Sequence, residues 1–447
     1  MNTFLRERRH RVMIPPRFFC RYSFRKAVRR GLLALAAWSL LTGAATALTD
    51  EGARLFEQSR KSVFQIRVVD QATGEKSTAG SGFFISTDGY VVTNYHVISD
   101  YVMKPGQYQI KSLDENGSFA NLKLISFDVV HDLAVLWDEK GAGASLKLGH
   151  SQLAKGERIF SMGNPYDLGM SIIEGTFNGL MEKSMYRKIL FSGSLNPGMS
   201  GGPALNRQGE VIGVNVSTMG NDVSFLVPVE FLKDLYQEAG GQAGAPQGNL
   251  EAVIEQQVLA QQDQFIESLL GSSWDHVGMG DILIPGEIAV PIKCWSKTED
   301  KDKELMVKVR TACSSEDAIY INEQVTTADY SYWFLQHTNR GMNTFRFYNH
   351  IVEDYGSAFP FQNHEDEFFT KFQCRDDFVD IAGRRWKAAL CVRQYKRFRR
   401  LFDLNLVLST VDKFDRGLTG AFTVKGVGKE AGQRLIRKFM EEIRWQK

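Results

Sequence analysis

The pattern of short hydrophobic runs between residues 62 and 235 constrains the fold more than any other feature of the sequence. These runs are rich in β-branched and aromatic residues, and glycine, asparagine and aspartate interrupt them at close intervals. Examples are residues 63–69, 82–86, 90–93, 133–136 and 211–216. Short strands separated by turns at this spacing favour an all-β sandwich or barrel over alternating strands and helices. A helix is expected to close the segment over residues 229–238.

The chain of 447 residues is longer than one hydrophobic core usually supports, so we expect two folded units. Residues 238–248 are rich in glycine, glutamine and alanine, a composition typical of a linker. Hydrophobic residues then recur at the spacing of an amphipathic helix, with Asn249 in the N-cap position. They are Leu250, Val253, Ile254, Val258, Phe265, Ile266 and Leu269. Such a stripe usually packs on its own domain, and an oligomerisation surface is the alternative.

The remaining chain alternates strand-like runs with turns over residues 282–425 and has helical periodicity over residues 430–445. These patterns predict a separate, α+β domain. The predicted boundaries are therefore 52–240 for the all-β domain, 241–280 for a linker and amphipathic helix, and 281–447 for the C-terminal domain.

The N-terminus has the features of an export signal. Basic residues are concentrated before residue 31, an apolar run follows over residues 31–41, and small residues end it at Gly43-Ala44-Ala45-Thr46-Ala47. The apolar run is too short to span a bilayer comfortably, so residues 1–47 are predicted to be a cleavable signal peptide, with an uncleaved anchor as the alternative. The chain is expected to be periplasmic or secreted.

Cysteine usage agrees with export. Cys20 lies within the predicted signal, and the other four cysteines are Cys294, Cys313, Cys374 and Cys391. An even number in an oxidising compartment predicts two disulfides, for which three pairings exist, and pairing in chain order closes the shortest loops. These cysteines include no C-x-x-C pair and no histidine at ligand spacing, so we expect no metal and no cofactor.

One set of residues has the composition and order of a serine nucleophile with its base. A hydroxyl needs a base within hydrogen-bond reach, a carboxylate to orient that base, and donors for the oxyanion. Ser200 lies in Pro-Gly-Met-Ser-Gly-Gly-Pro, where the N–H groups of Gly198 and Ser200 are the candidate oxyanion donors. His96 follows a strand-like run, and Asp132 opens another, so that its carboxylate is expected to be shielded from water. His131 and His150 lack such a context.

Several motifs resemble the HtrA/Deg branch of the trypsin-like serine peptidases. They are Gly80-Ser81-Gly82-Phe83-Phe84-Ile85, Thr93-Asn94-Tyr95-His96-Val97, Asp132-Leu133-Ala134-Val135-Leu136, Met162-Gly163-Asn164-Pro165, the Ser200 motif and Phe225-Leu226-Val227-Pro228. The resemblance covers about residues 52–240. It implies an all-β double β-barrel with the site between the barrels, and the roles of base, orienting carboxylate and nucleophile for His96, Asp132 and Ser200.

The resemblance also implies a function. We expect a serine endopeptidase that cleaves proteins in the cell envelope through an acyl-enzyme, and a catalytically silent or chaperone-like binding protein on the same fold is the alternative. The wall of the specificity pocket should come from Ser194, Leu195, Asn196, Asn215, Val216 and Ser217. None of these is acidic, so cleavage after small or medium apolar residues is expected.

Two departures from the family pattern affect regulation. No PDZ-like segment follows the all-β domain, and Met199 stands where relatives commonly have asparagine or aspartate. An aspartate there can anchor a new N-terminus after zymogen cleavage, so we do not expect this mode of activation. Regulation through a partner that binds the C-terminal domain is the alternative.

Residues 392–400 interleave cations with aromatic residues, a composition that also suits nucleic acid or an anionic membrane. The acidic run Glu365-Asp366-Glu367 lies in the same region, and an exported protein rarely meets nucleic acid. We therefore interpret the segment as a solvated strand face. Protein or peptide substrates are the expected partners, and nucleic acid is not.

Overall fold

Two closed, six-stranded antiparallel barrels form the first part of the computed structural model. The structure describes residues 51–181, 184–220, 222–239, 248–300, 305–359 and 366–445. The predicted signal peptide and most of the predicted linker, residues 240–247, lie outside the described residues. The spacing of the hydrophobic runs predicted an all-β sandwich or barrel, and the resemblance implied an all-β double β-barrel; the double barrel is confirmed.

The first barrel has the strand order β1-β2-β3-β6-β5-β4. Its strands are β1 (Val63–Asp70), β2 (Lys76–Phe84), β3 (Tyr90–Thr93), β4 (Tyr108–Leu113), β5 (Phe119–Asp128) and β6 (Leu133–Trp137). Helix α1 (Tyr95–Met103) follows β3, and residues 51–59 are helical before β1.

The second barrel has the order β10-β11-β12-β9-β8-β7. Its strands are β7 (Arg158–Gly163), β8 (Ser171–Met181), β9 (Lys188–Ser192), β10 (Pro203–Leu205), β11 (Val211–Gly220) and β12 (Val223–Pro228). Helix α2 (Val229–Glu238) follows directly, at the predicted residues. Phe83 and Val92 of the first barrel share one buried cluster with Phe160, Met162 and Val214 of the second, so the seam between the barrels is apolar.

The C-terminal region is built around a seven-stranded antiparallel sheet with the order β15-β16-β19-β23-β22-β21-β20. Its strands are β15 (Ile292–Glu299), β16 (Met306–Ser315), β19 (Tyr330–Asn339), β20 (Gln373–Ile381), β21 (Arg384–Gln394), β22 (Phe402–Thr410) and β23 (Arg416–Val427). A hairpin, β17 (Ile319–Asn322) and β18 (Val325–Thr327), is inserted between β16 and β19. A small sheet contains β13 (His276–Met279), β14 (Ile282–Pro285) and β24 (Arg444–Trp445).

The helices described beside these sheets are α3 (Leu250–Gly271), α4 (Thr344–Ser357) and α5 (Lys429–Glu441). The helix predicted over residues 430–445 therefore ends early. Its last residues leave the helix because Arg444 and Trp445 pair with β14. Among the described residues, no helix combines the length and apolar character needed to cross a bilayer.

Helix α3 connects the first barrel to the C-terminal sheet. Asn249 caps it, accepting a hydrogen bond from Glu251 N over 3.0 Å. Ile254 and Val258 are buried in the core of the first barrel, whereas Ile266 and Leu269 are buried in the core of the C-terminal sheet. The predicted apolar stripe thus packs on both parts of the chain. Residues from Arg54 onward cluster as one compact unit.

The interpretation of residues 392–400 as a solvated strand face is wrong for most of the segment. Strand β21 ends at Gln394, and the following turn docks on the first barrel and α3. Arg397 donates from Nη2 to Met103 O over 2.8 Å and from Nε to Glu251 Oε1 over 2.9 Å. Tyr395 and Phe398 are buried. Arg397 and Arg400 are paired with Glu251 and Glu255 of α3, a helix distant in sequence, and a local pattern does not reveal such pairs.

Both predicted disulfides are present, in chain order: Cys294–Cys313 and Cys374–Cys391. Each joins directly opposite residues of neighbouring strands, β15 with β16 and β20 with β21. Because β15 and β20 are the two edges of the seven-stranded sheet, each edge strand is covalently tied to its neighbour.

Replacing Cys374 and Cys391 together with alanine should lower the free energy of unfolding by about 3 kcal/mol, because the bridge closes a loop of 17 residues in the unfolded chain. Urea titration followed by tryptophan fluorescence measures this, with Cys294→Ala/Cys313→Ala as the matched second pair. Intact mass should also rise by about four hydrogens when the wild type is reduced, two for each bridge. An unchanged mass would contradict both bridges.

Candidate active site

His96 is held by Asp132 at two points. Its backbone N–H donates to Asp132 Oδ1 over 2.8 Å, and its Nδ1 lies 2.6 Å from Asp132 Oδ2. The carboxylate is an acceptor, so Nδ1 carries the proton and Nε2 is left free to accept one. This tautomer is the one that general-base catalysis requires.

The chain positions both residues through local structure. His96 lies in the first turn of α1, and Asn94 precedes this helix as its N-cap residue. Asn94 Nδ2 donates to Asp132 O over 2.7 Å. Asp132 precedes β6 in a left-handed conformation, with φ of 56°. A non-glycine residue in this conformation is uncommon and needs support from its surroundings. Here the bonds from Asn94 and His96 supply it.

Two opposing effects set the proton affinity of His96. Burial lowers the pKa of the imidazole, but the negative charge of Asp132 and its hydrogen bond raise it, and the net result is a pKa above the usual range. The ion pair is partly shielded, because 28 % of the His96 side chain and 12 % of the Asp132 side chain are exposed. The expectation of a shielded carboxylate beside the base fits this geometry.

The loop around Ser200 presents two backbone N–H groups. Pro197 O accepts from Tyr166 N over 2.8 Å, and Met199 O accepts from Gly202 N over 3.1 Å. In a trans peptide the N–H points opposite to the carbonyl, so the N–H groups of Gly198 and Ser200 point away from these partners. Within the described chain neither N–H has an acceptor. Two free N–H groups beside a serine hydroxyl are the donors that an oxyanion needs.

Gly198 has to be glycine in this conformation. Its φ is +95°, and a Cβ there would lie 2.4 Å from Asn164 O. Any side chain would therefore push the loop away from residues 164–166 and disturb the bond that orients the Gly198 N–H.

Ser81, which sequence reasoning passed over as a site residue, ties the first barrel to this loop. Its N–H donates to Ser200 O over 2.7 Å and its Oγ donates to Gly198 O over 2.7 Å. The same Oγ accepts from Asn164 N over 2.9 Å. The available signal was a serine between two glycines in the motif Gly80-Ser81-Gly82, which indicates a close backbone approach.

Asn215, expected to line the specificity pocket, is fully buried. Its Nδ2 donates to Met162 O over 2.9 Å and to Met199 O over 3.1 Å, and its Oδ1 accepts from Ser161 Oγ over 2.8 Å. The Asn215 side chain therefore holds the backbone of Met199, the residue before Ser200. Met199 itself is buried among apolar residues of the second barrel, in agreement with the absence of a charge at this position.

The other residues expected to line the pocket lie in two neighbouring segments. Val216 and Ser217 are in β11 beside the nucleophile, and Ser200 Oγ donates to Val216 O over 3.4 Å. Leu195 is buried, and Leu195 N donates to Ser224 Oγ over 3.2 Å. Asn196 O accepts from Met199 N over 3.0 Å.

An acidic residue that the sequence reasoning did not consider lies beside this segment. Ser194 Oγ donates to Asp222 Oδ1, which is in the turn between β11 and β12. Asp222 is far from Ser194 in sequence, and only the pairing of β12 with β9 brings the two together.

The loop of residues 164–169 is anchored to the first barrel by charge. Asp167 accepts from Gln65, Arg67 and Lys76 over 2.8 to 3.0 Å. The Lys76 and Gln65 hydrogen bonds are the main reason that the pKa of Asp167 is lowered to about 2. Since Tyr166 N orients the peptide of Pro197, this anchor also supports the oxyanion donors.

Ser200 Oγ and His96 are not hydrogen-bonded to each other in the described structure. The serine hydroxyl points to Val216 O through a long, weak bond. Catalytic hydrogen bonds are often long or unformed without substrate, and rotation of one side-chain torsion is enough to redirect a hydroxyl. The described residues contain no group of three or more histidine, cysteine or acidic side chains that could hold a metal ion.

Comparisons with known proteins agree with this geometry. Residues 80–214 match the family model described as "Trypsin-like peptidase domain". The chain is 30% identical over 191 residues to a protein of Halomonas elongata named "Probable periplasmic serine endoprotease DegP-like", covering 40% of this chain and 39% of that protein. A protein of the same name from Bartonella henselae is 36% identical over 170 residues, covering 36% and 33%. The chain thus spans well under half the length of these curated relatives.

A solved structure, "Crystal structure of the serine endoprotease from Yersinia pestis", is 25% identical, with a TM-score of 0.37 over 42% of this chain and 65% of that chain. The described barrels, the matched family and the curated relatives lead to one conclusion: residues 80–214 form a trypsin-like peptidase domain, and the double-barrel part of this chain is similar to DegP-like serine endoproteases.

Proposed function

We propose that this chain is an exported serine endopeptidase that cleaves proteins in the cell envelope through an acyl-enzyme. The observation that carries the proposal is the combination of a base held at two points by Asp132 and two free N–H groups at Ser200. The catalytic residues are His96, Asp132 and Ser200, and the oxyanion donors are the N–H groups of Gly198 and Ser200.

The geometry supports the following sequence of steps. Ser200 Oγ leaves Val216 O and attacks the scissile carbonyl while His96 Nε2 takes its proton. Asp132 stabilises the imidazolium, because its carboxylate is already bonded to Nδ1. The oxyanion accepts from Gly198 and Ser200 N–H, the imidazolium protonates the leaving amine, and water then hydrolyses the acyl-enzyme by the same route.

Location in the periplasm is supported by two observations. The curated relatives are named periplasmic, and both disulfides need an oxidising compartment to persist. Proteins and peptides are the proposed substrates. The alternative, a silent binding protein on a peptidase fold, is disfavoured by the complete set of hydrogen bonds around Asp132.

The wild-type protein should be labelled by a fluorophosphonate probe, because the activated Ser200 hydroxyl attacks phosphorus as it would a carbonyl carbon. Ser200→Ala should abolish labelling and lower peptide hydrolysis by about 10⁶-fold. Gel fluorescence and a quenched-peptide assay measure the two effects. Absence of labelling in the wild type, even with unfolded protein present, would refute activity, and labelling retained in Ser200→Ala would identify another serine.

A peptide library should show cleavage after small or medium apolar residues, because no acidic residue occurs among Ser194, Leu195, Asn196, Asn215, Val216 and Ser217. Mass spectrometry of the cleavage products gives the profile. A profile dominated by arginine or lysine would contradict this, and loss of that preference in Asp222→Asn would then identify Asp222 as its cause.

The pH profile of kcat/KM should have an acidic limb above pH 6.5, since His96 must be neutral to act as base and its pKa is raised. Activity is present above this pKa and is lost as the pH falls through it. NMR titration of the imidazole in Ser200→Ala provides an independent measurement, with His96→Gln to assign the signal. An acidic limb at or below pH 6.5 would be the contrary result.

A further inference from the structure

One segment of the C-terminal region lies against both barrels beside the His96–Asp132 pair. We call residues 317–327 the strap; they comprise the turn after β16 and the hairpin β17–β18. The strap is inserted between two neighbouring strands of the seven-stranded sheet, so its ends are fixed by that sheet.

The strap contacts the first barrel through α1, the helix that carries His96. The ring of Tyr320 packs edge-on against the imidazole of His96, with 6.1 Å between ring centroids and 79° between ring planes. Next to it, Ile321 O accepts from Tyr95 OH over 2.9 Å. Ile319 and Ile321 are buried in the same apolar cluster as Tyr95, so this contact is part of a packed core.

The strap contacts the second barrel through Asp317. Its Oδ1 is 2.5 Å from Lys188 Nζ, and its Oδ2 accepts from Met185 N over 2.8 Å. The Lys188 and Asp317 side chains are 16 % and 13 % exposed, so the ion pair is largely desolvated. Breaking such a pair by removing one partner leaves an uncompensated charge and is costly.

The loop that Asp317 holds through Met185 also contains Tyr186, whose ring packs edge-on against His131, the neighbour of Asp132, at 4.9 Å. Tyr320 is the ring that lies against the imidazole of His96 itself. An aromatic ring packed against an imidazole excludes water from that side and restricts the rotation of the imidazole.

We propose that Tyr320 is a positioning residue for His96, and that the strap makes the C-terminal region a structural part of the active site. The inference rests on the proposed function, because it assigns His96 the role of base. The strap supplies no group that attacks the substrate or transfers a proton. It acts by holding the imidazole in the orientation that Asp132 defines and by keeping water from their hydrogen bond.

Three single variants test the proposal. Tyr320→Ala should lower kcat for a peptide by about 10-fold with little change in KM, because a misplaced base slows the chemical step. Tyr320→Phe keeps the ring and should stay within about 2-fold of the wild type. Tyr348→Ala, a matched change in α4 away from the strap, should leave both constants unchanged.

A second measurement does not depend on activity. In the Ser200→Ala background, Tyr320→Ala should shift the pKa of His96, because water admitted beside the imidazole reduces both the burial that lowers this pKa and the attraction of Asp132 that raises it. NMR titration detects this, and the Nδ1 proton should exchange faster with water. Tyr348→Ala in the same background should change neither value.

The outcomes separate the two proposals. If the wild type does not react with a fluorophosphonate, the proposed function fails, but the NMR comparison still decides whether Tyr320 positions His96. If Tyr320→Ala matches Tyr348→Ala in kcat and in the His96 titration, the positioning role is refuted. If Tyr320→Ala fails to fold, Asp317→Asn and Tyr320→Phe can still be measured. A wild-type kcat in Asp317→Asn would exclude a strap that depends on the ion pair between Asp317 and Lys188.

Discussion

The position of the nucleophile depends on Ser81, a residue of the opposite barrel. Its N–H and Oγ hold the carbonyls of Ser200 and Gly198, and its Oγ also accepts from Asn164. The strand can approach this closely because glycine precedes Ser81: a Cβ at Gly80 would lie 2.6 Å from Val97 and 3.0 Å from Ser200 O. Each of these buried bonds costs about 1–3 kcal/mol when one partner is lost. The oxyanion donors are therefore a property of the interface between the barrels.

The sequence predicted what local patterns encode and missed what distant contacts create. The short strands, the helix after β12 and the Asn249 cap all follow from spacing and from cap chemistry within a few residues. The roles of Ser81 and Asn215 do not, because their partners lie in other strands. Asn215 was assigned to the specificity pocket by the family resemblance, but its buried amide donates to the carbonyls of Met162 and Met199. A buried amide with three partners cannot also face a substrate.

The interface between the barrels and the C-terminal region also depends on contacts between residues that are distant in sequence. Gln257 of α3 donates to Phe127 O over 2.8 Å and accepts from Val129 N over 2.9 Å, in the turn that leads to Asp132. Arg397, in the turn after β21, donates to Met103 O of α1 and to Glu251 of α3. Gln257 does not stand out in the sequence, and the basic segment that contains Arg397 does not reveal its partners. Their effect is collective, since they align a large apolar contact rather than supply most of its free energy.

The two disulfides fasten the edge strands of the seven-stranded sheet, and they form only in an oxidising compartment. Exposed edge strands offer unpaired backbone groups to other chains and are a common origin of aggregation. In this sheet both edges, β15 and β20, are fastened by a bridge to the strand beside them. Thiols stay reduced in the cytosol and form disulfides in oxidising compartments, so the two bridges would form only outside the cytosol. In an oxidising compartment each bridge would keep its edge strand from detaching and exposing the backbone groups of β16 and β21 beside it.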